Sequence, residues 1–417
     1  MWNQRWSVCL MFAMLFLMIA CTGKNKEREL QMSFNLDYQE MKEIKSNLKN
    51  GEPYLQEMYR KIIFSADSLL SAEPYKVIDG DMPPTGDAHD FFTIGKYAFP
   101  NPDTPDGMPY IRKDGMTNPE ARGYKYDLGR YEQTTERVKV LALAWFYSDD
   151  ERYAEKAAEL LRVWFLNPQT KMNPNFECAA ALPGVYDGMA IGIIFGARLV
   201  DFLDYVRLLS LSDSWTEEDD NALKKWFAEY AKWLQTSKFG IEESKAKNNH
   251  ITWYLAQIAA AAVYNGDEEL ARKMIEKGKQ QIALQIAMNE VEYPNGAMPY
   301  ELKRNQSFLY SMYGLEGFCA LAGCGELVGC DLWHYETEDG KGMQATFDFL
   351  APYLAGKLSW PYKSLADVDM LIPGSILMIR QAVKHFKTNA LLEAQEYVSS
   401  CALDNPFYWL GSKNYNK

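Results

Sequence analysis

From about residue 34 onward the chain repeats one pattern: apolar side chains recur at steps of three and four, and short turn signals cut the run into segments. In "DERYAEKAAELLRVWF" the apolar set is Tyr153, Ala157, Leu160, Leu161, Trp164 and Phe165. In "EEDDNALKKWFAEYAKWLQ" it is Leu223, Trp226, Phe227, Tyr230, Trp233 and Leu234. Each set lies along one face of a helix, and a sequence with that period does not sit in a half-buried strand. Further helices are predicted near 37–49, 54–71, 130–147, 189–210, 250–264, 267–289, 305–322, 342–355, 370–386 and 388–400. Alternating strand patterns are scarce. The turn Asn265-Gly266-Asp267 lies between two long apolar-faced segments and reads as the corner of an αα-hairpin, and Ser148-Asp149-Asp150 is a similar break. A series of such hairpins sharing one core gives an all-α fold, an α/α toroid built as an incomplete barrel of about five to seven hairpins. No linker interrupts the pattern, so residues 34–417 are expected to form a single domain.

The first twenty residues do not belong to that pattern. Arg5 supplies a positive start, Val8 to Ala20 form an apolar run too short for a comfortable membrane span, and small Ala20 precedes Cys21. This resembles a bacterial lipoprotein signal, which implies cleavage after residue 20, lipidation of Cys21 and a polar tether over 21–33. The expected location is exported: periplasmic, or an outer-membrane lipoprotein of a Gram-negative bacterium, with the lipid on Cys21 as its only membrane contact. Removing the signal takes away one positive charge, so the mature chain is more acidic than the −12 of the full sequence. That balance argues against nucleic acid as a partner and leaves an anionic substrate to be met by a locally basic cleft. Outside the signal, Cys178, Cys319, Cys324, Cys330 and Cys401 are too few for a disulfide scaffold and lack the paired spacing of a zinc site, so most are expected as buried free thiols.

Two stretches break the helical rhythm, residues 80–125 and 167–188, both dense in Pro, Gly and Asp or Asn. Loops this long inside a compact domain are usually functional, and the aromatics Phe91, Phe92, Tyr97, Phe99 and Tyr110 argue for ordered loops lining a groove at the mouth of the toroid. No G-x-S-x-G elbow, H-E-x-x-H, P-loop or dinucleotide fingerprint is present, and the four histidines are scattered. Chemistry-bearing residues concentrate in two places. In "KNNHITWYLAQIAAAA" an asparagine can cap the helix that follows, holding Asn249 and His250 at its positive end, an arrangement suited to a carboxylate. In "YPNGAMPYELKRNQSFLYSMYGLEGF", Arg304 precedes Tyr310 and Tyr313, which share a helix face, and Glu301 and Lys303 add charge just ahead. Taken singly, each of these residues is as well explained by capping or core packing.

The segments "HDFFTIGKYAFPNPDTPDGMPYIRKDGMTNPE", "MNPNFECAAALPGVYDG", "KNNHITWY", "PYELKRNQSFLYSMYGLEG" and "CDLWHYETEDGKG" occur in an order, and with motifs, that resemble the alginate lyase superfamily of polysaccharide lyases. The resemblance implies a secreted α/α-toroid enzyme that cleaves 1,4-linked uronic-acid polymers, alginate first and glucuronan next, by β-elimination without metal or cofactor. Carried over residue by residue, it implies that Asn249, His250 and Arg304 neutralise the substrate carboxylate. It implies Tyr310 as the acid/base, assisted by His250, with Tyr313 as the fallback. His89, Arg112, Lys113, Tyr313, Asn248 and Trp253 are the candidate substrate-binding residues. Cys178-Ala179-Ala180 and Gly188-Met189-Ala190 stand where many relatives carry Tyr-Ala-Gln and Gly-Arg-Gly, which removes a glutamine and an arginine from a substrate-facing loop. The rival reading is a non-catalytic glycan-binding lipoprotein on the same fold; a hydrolase with paired carboxylates ranks third. Uronate preference, endo or exo action and oligomeric state are not written in the sequence.

Overall fold

Helix ends fall where capping chemistry sets them. The computed structural model describes residues 36–113, 115–402 and 405–410, the side chain of Tyr408 excepted. The signal, the tether and Cys21 lie outside the described residues. Helices α1 (Tyr38–Lys49) and α2 (Pro53–Leu70) open the fold, followed by α3 (Asp127–Ser148), α4 (Glu151–Leu161), α5 (Arg198–Leu209), α6 (Glu217–Thr236), α7 (Lys238–Glu243), α8 (Asn249–Asn265), α9 (Glu268–Gln285), α10 (Pro299–Leu302), α11 (Ser307–Leu327), α12 (Met343–Leu354), α13 (Ile376–Phe386), α14 (Asn389–Cys401) and α15 (Pro406–Leu410). Asp150 caps α4 through Arg152 N–H, Thr216 and Asp219 form a reciprocal capping box on α6, and Asp267 caps α9. The predicted hairpin corner is present: Gly266 ends α8 in the left-handed region at φ 74°, a conformation glycine adopts without steric cost.

Packing sorts the helices into two rows. The inner row, α3, α5, α8 and α11, is buried on nearly every side, whereas α4, α6 and α9 turn polar faces to solvent and pack against α3 and α8 from outside. Small residues let the inner helices approach closely. A Cβ on Gly314 of α11 would stand 3.7 Å from Asn249 Cβ, and one on Gly317 would stand 3.0 Å from Thr252 Cγ2. Residues 314 and 317 thus face 249 and 252 in the same chain direction, so α8 and α11 run parallel with their N-termini at one end. The ring is tied off where α15 returns to α2: Trp409 meets the Tyr54 ring edge-on at 5.2 Å and lies under the Arg380 guanidinium at 4.6 Å. The all-α toroid expected from the periodicity is the fold observed.

The long loops carry four short strands. β1 (Phe92–Ile94) pairs in parallel with β4 (Cys178–Ala181), joining the first loop to the second, and β2 (Ala98–Phe99) pairs antiparallel with β3 (Ile111–Arg112). Of the five loop aromatics, Tyr97 reaches the cleft wall, while Phe91 is buried against Phe176 and Tyr131. The single helix expected over 189–210 is a 3-10 segment over 190–197 followed by α5, pressed so closely on neighbours that a Cβ at Gly192 would lie 2.6 Å from Ala179 Cβ. The described cysteines are all free, with Cys178, Cys319 and Cys324 buried. Among the described residues no helix is long and apolar enough to cross a membrane.

Two short helices, α7 and α10, lay outside the periodic pattern, and both serve the inner row. Gly240 seats α7 against the end of α6, since a Cβ there would lie 1.9 Å from the Leu234 carbonyl oxygen. Gly240→Ala must therefore move α7 off its seat and is expected to cost about 1–3 kcal/mol. Thermal unfolding checks this, with Gly374→Ala, whose added methyl would meet nothing within 4 Å, unfolding like the parent.

Candidate active site

A cleft of about 740 Å³ opens at the end of the toroid where the inner helices begin. Its wall includes Leu128 and Glu132 near the start of α3, Arg198 at the start of α5, Asn249 and His250 at the start of α8, and Tyr310 in the first turn of α11. Helix N-termini carry unpaired N–H groups and partial positive charge, so their convergence favours an anion in this space. Side-chain charge acts in the same direction. Lys96, Arg112, Arg122, Arg198 and Arg304 line the cleft against the carboxylates of Glu132 and Glu243, in a chain of net charge −12.

The start of α8 is held by a carboxylate from another part of the chain. Asn248 is the cap, its Oδ1 accepting from His250 N–H at 3.3 Å. Glu301, on the four-residue helix α10, accepts from the Asn249 backbone N–H at 2.5 Å and from Asn249 Nδ2 at 3.0 Å with each of its oxygens. Glu301 is fully buried, and burial pushes its carboxyl upward, opposed by those hydrogen bonds and by the nearby charges of Arg304 and His250. One Asn249 side-chain N–H is shared between the two Glu301 oxygens, which leaves the second uncommitted; its Oδ1 is buried and unpartnered among the described residues. In this arrangement Asn249 anchors the helix start and keeps one N–H in the cleft that His250 and Arg304 also line.

His250 is oriented by the other short helix. Glu243, at the end of α7 and itself buried, lies 2.6 Å from His250 Nδ1. A carboxylate there requires Nδ1 to carry hydrogen, which leaves Nε2 for the cleft, as acceptor in the neutral ring and as donor in the imidazolium. Arg304 stacks its guanidinium 4.1 Å from the centroid of the Tyr310 ring and makes no ion pair among the described residues, so its N–H donors are uncommitted. The Tyr310 hydroxyl lies 2.7 Å from that of Tyr97, which β2 and its neighbours bring over from the first long loop.

The structure thus gathers Asn248, Asn249, His250, Arg304, Tyr310, Tyr313 and Arg112 around one cleft. Three expected binding residues stand elsewhere. His89 Nδ1 is 2.6 Å from the Lys171 carbonyl and ties the two long loops together. Lys113 lies over the Phe99 ring. Trp253 is turned into the core, its Nε1 donating to the Tyr313 carbonyl at 2.9 Å and its ring packed on Tyr313 at 5.0 Å; the helical period leaves open which face a bulky aromatic takes, and the small residues of α11 draw this one inward. Sequence reasoning missed Glu243, Arg122, Glu132 and Arg198, had Tyr97 only as one of the groove-lining loop aromatics, and saw Glu301 only as local charge. Among the described residues no group of three or more His, Cys, Asp or Glu side chains is placed to hold a metal ion.

Removing the Glu301 carboxylate leaves the Asn249 backbone and side-chain N–H groups buried without an acceptor, at about 1–3 kcal/mol for each. Glu301→Ala is therefore expected to lower the urea midpoint clearly, and Glu301→Gln, which keeps one acceptor oxygen, to lower it less.

The family model for alginate lyase matches residues 79–360. No curated protein matches the chain. Among solved structures, an alginate lyase from Bacteroides ovatus is similar at a TM-score of 0.83 and 30% identity, covering 92% of this chain and 99% of that one. Alginate lyase A1-III from Sphingomonas species A1 is a more distant likeness: a histidine-to-alanine variant complexed with a tetrasaccharide gives a TM-score of 0.49 at 15% identity, over 79% of this chain and 88% of that one. With a family model matching well over half its length and a 30%-identical relative aligned over nearly all of it, the chain belongs to the alginate lyase family.

Proposed function

We propose that this polysaccharide lyase cleaves 1,4-linked uronic-acid polymers, alginate first and glucuronan next, by β-elimination in the cleft between α8, α11 and the first long loop. The observation that carries the reading is Arg304: an uncommitted guanidinium beside Tyr310, in the same cleft as His250. Eliminating across C4 and C5 of a uronate removes a proton α to a carboxylate, and the transition state gathers negative charge on a group that is already anionic. A cation and an N–H donor at that carboxylate lower the barrier by stabilising the developing enediolate.

In the proposed step, Arg304 binds the uronate carboxylate, joined by Asn249 and, when its ring is protonated, by His250 Nε2–H. A base takes the C5 proton, the electron pair forms the C4=C5 double bond, the bond from C4 to O4 breaks, and an acid delivers a proton to O4. Tyr310 supplies the acid and, where proton and leaving oxygen share a face, the base as well. Its hydroxyl is held by the hydrogen bond to Tyr97. His250, neutral and with Nε2 left for the cleft by Glu243, is instead the base when the C5 proton lies on the other face, and Arg304 and Asn249 then hold the carboxylate. We place the enzyme, by its signal sequence, on the far side of the inner membrane with a lipid on Cys21.

Incubation with alginate or glucuronan is expected to yield an unsaturated uronate, followed by its ultraviolet absorbance. Tyr310→Phe and His250→Ala should each lower kcat by roughly 10²–10⁴-fold, the range for loss of a general acid or base. New reducing ends without that absorbance would replace elimination by hydrolysis, and full activity in Tyr310→Phe would move the acid to another residue.

A further inference from the structure

Three charged residues lining the cleft have no part in the elimination just described. Arg122 ends the first long loop, Glu132 stands on α3 and Arg198 begins α5. Arg198 Nη2 lies 3.3 Å and Arg122 Nη2 3.6 Å from the same oxygen, Glu132 Oε1. That is a loose arrangement for arginine. By comparison Arg162, just past the end of α4, grips Asp219 with two bonds of 2.9 and 2.6 Å, one to each oxygen. A guanidinium has five N–H donors, and here each spends at most one, at long range. Two arginines and one glutamate leave a net positive charge, and all three side chains keep some exposure: 59% for Arg122, 33% for Arg198 and 22% for Glu132.

The triad also stands in a defined place relative to the reacting groups. The charge of Arg198 acts on the hydroxyls of Tyr131 and Tyr313, and Tyr313 is one turn beyond Tyr310, about 4.5 Å further along α11. The Tyr131 hydroxyl is fully buried and lacks a hydrogen-bond partner among the described residues. An anion entering here meets two guanidiniums already held near one another by Glu132, which reduces the side-chain entropy lost on binding.

We propose that Arg122 and Arg198, held by Glu132, form a second anion subsite that takes the carboxylate of another uronate in the same oligosaccharide whose reacting unit sits at Arg304. This rests on the uronan reading for the identity of the ligand. In it Glu132 is a resident competitor: its carboxylate keeps the arginines in place until the substrate carboxylate displaces or joins it. The subsite makes affinity depend on chain length, because a monosaccharide at Arg304 has no second carboxylate to offer it and an oligosaccharide does.

Calorimetric titration of the Tyr310→Phe protein with mannuronate and glucuronate mono- and tetrasaccharides tests this. Adding Arg198→Met should weaken tetrasaccharide binding roughly 10- to 100-fold, the range for hydrogen bonds to charged groups, and leave monosaccharide binding unchanged. Adding Glu132→Gln should instead tighten tetrasaccharide binding and steepen its salt dependence, since the competing charge is gone. A purely structural ion triad would lower the melting temperature in both variants and leave the length dependence alone, which overturns the proposal. So does a Tyr310→Phe protein that binds neither tetrasaccharide. Arg198-dependent binding without unsaturated product from the wild type would keep the subsite and remove the lyase reading. Unsaturated product with Arg198-independent binding would do the reverse.

Discussion

The site depends on one buried carboxylate. Glu301 reaches the N-terminus of α8 from a helix of four residues and takes hydrogen bonds from the backbone and side chain of Asn249. An ionisable group with no exposure costs free energy to bury, and the hydrogen bonds that compensate it fix the local geometry. From that anchor the rest follows in order. Asn248 caps the helix, His250 stands in its first turn, and Arg304, three residues after Glu301, is delivered beside Tyr310. The contact joins the two chain segments that carry the chemistry, so the spacing between His250 and Arg304 is set by a bond fully removed from solvent.

Around this anchor the fold converts a repetitive pattern into an electrostatic gradient. Inner helices that run parallel put their positive ends together, and loop and helix residues add five lysine or arginine side chains to the same cleft. A protein that is acidic overall thereby offers one basic groove. The carboxylates in the groove have assignments: Glu243 orients His250, and Glu132 holds Arg122 and Arg198. The cleft is built to accept negative charge at more than one point, which suits a polymer bearing a carboxylate on every unit better than a small neutral sugar.

The all-α toroid was legible because amphipathic period and capping are local properties. Asp150, Gly266 and Asp267 sit at the ends that they are expected to mark. Asn248, Asn249 and His250 were legible for the same reason, as a cap ahead of an alanine-rich run. The partners that give them direction were not. Glu301 is 52 residues from Asn249, and Glu243 is seven residues from His250 across a break in the helix. Both stand on helices of four and six residues, shorter than isolated sequences can nucleate, which form only because the surrounding packing supports them. Trp253 shows the converse failure. Its place beside the histidine suggested the cleft, but side-chain direction is a tertiary property, and the core holds it.

The most direct measurement of the central claim is a crystal structure of the Tyr310→Phe protein with a uronate tetrasaccharide. The account predicts one uronate carboxylate within hydrogen-bonding distance of Arg304 and His250 Nε2, with C5 and the glycosidic O4 of that unit facing position 310 and Glu301 still bound to Asn249. A tetrasaccharide seated with no carboxylate at Arg304, or with its glycosidic bond away from residue 310, would contradict it.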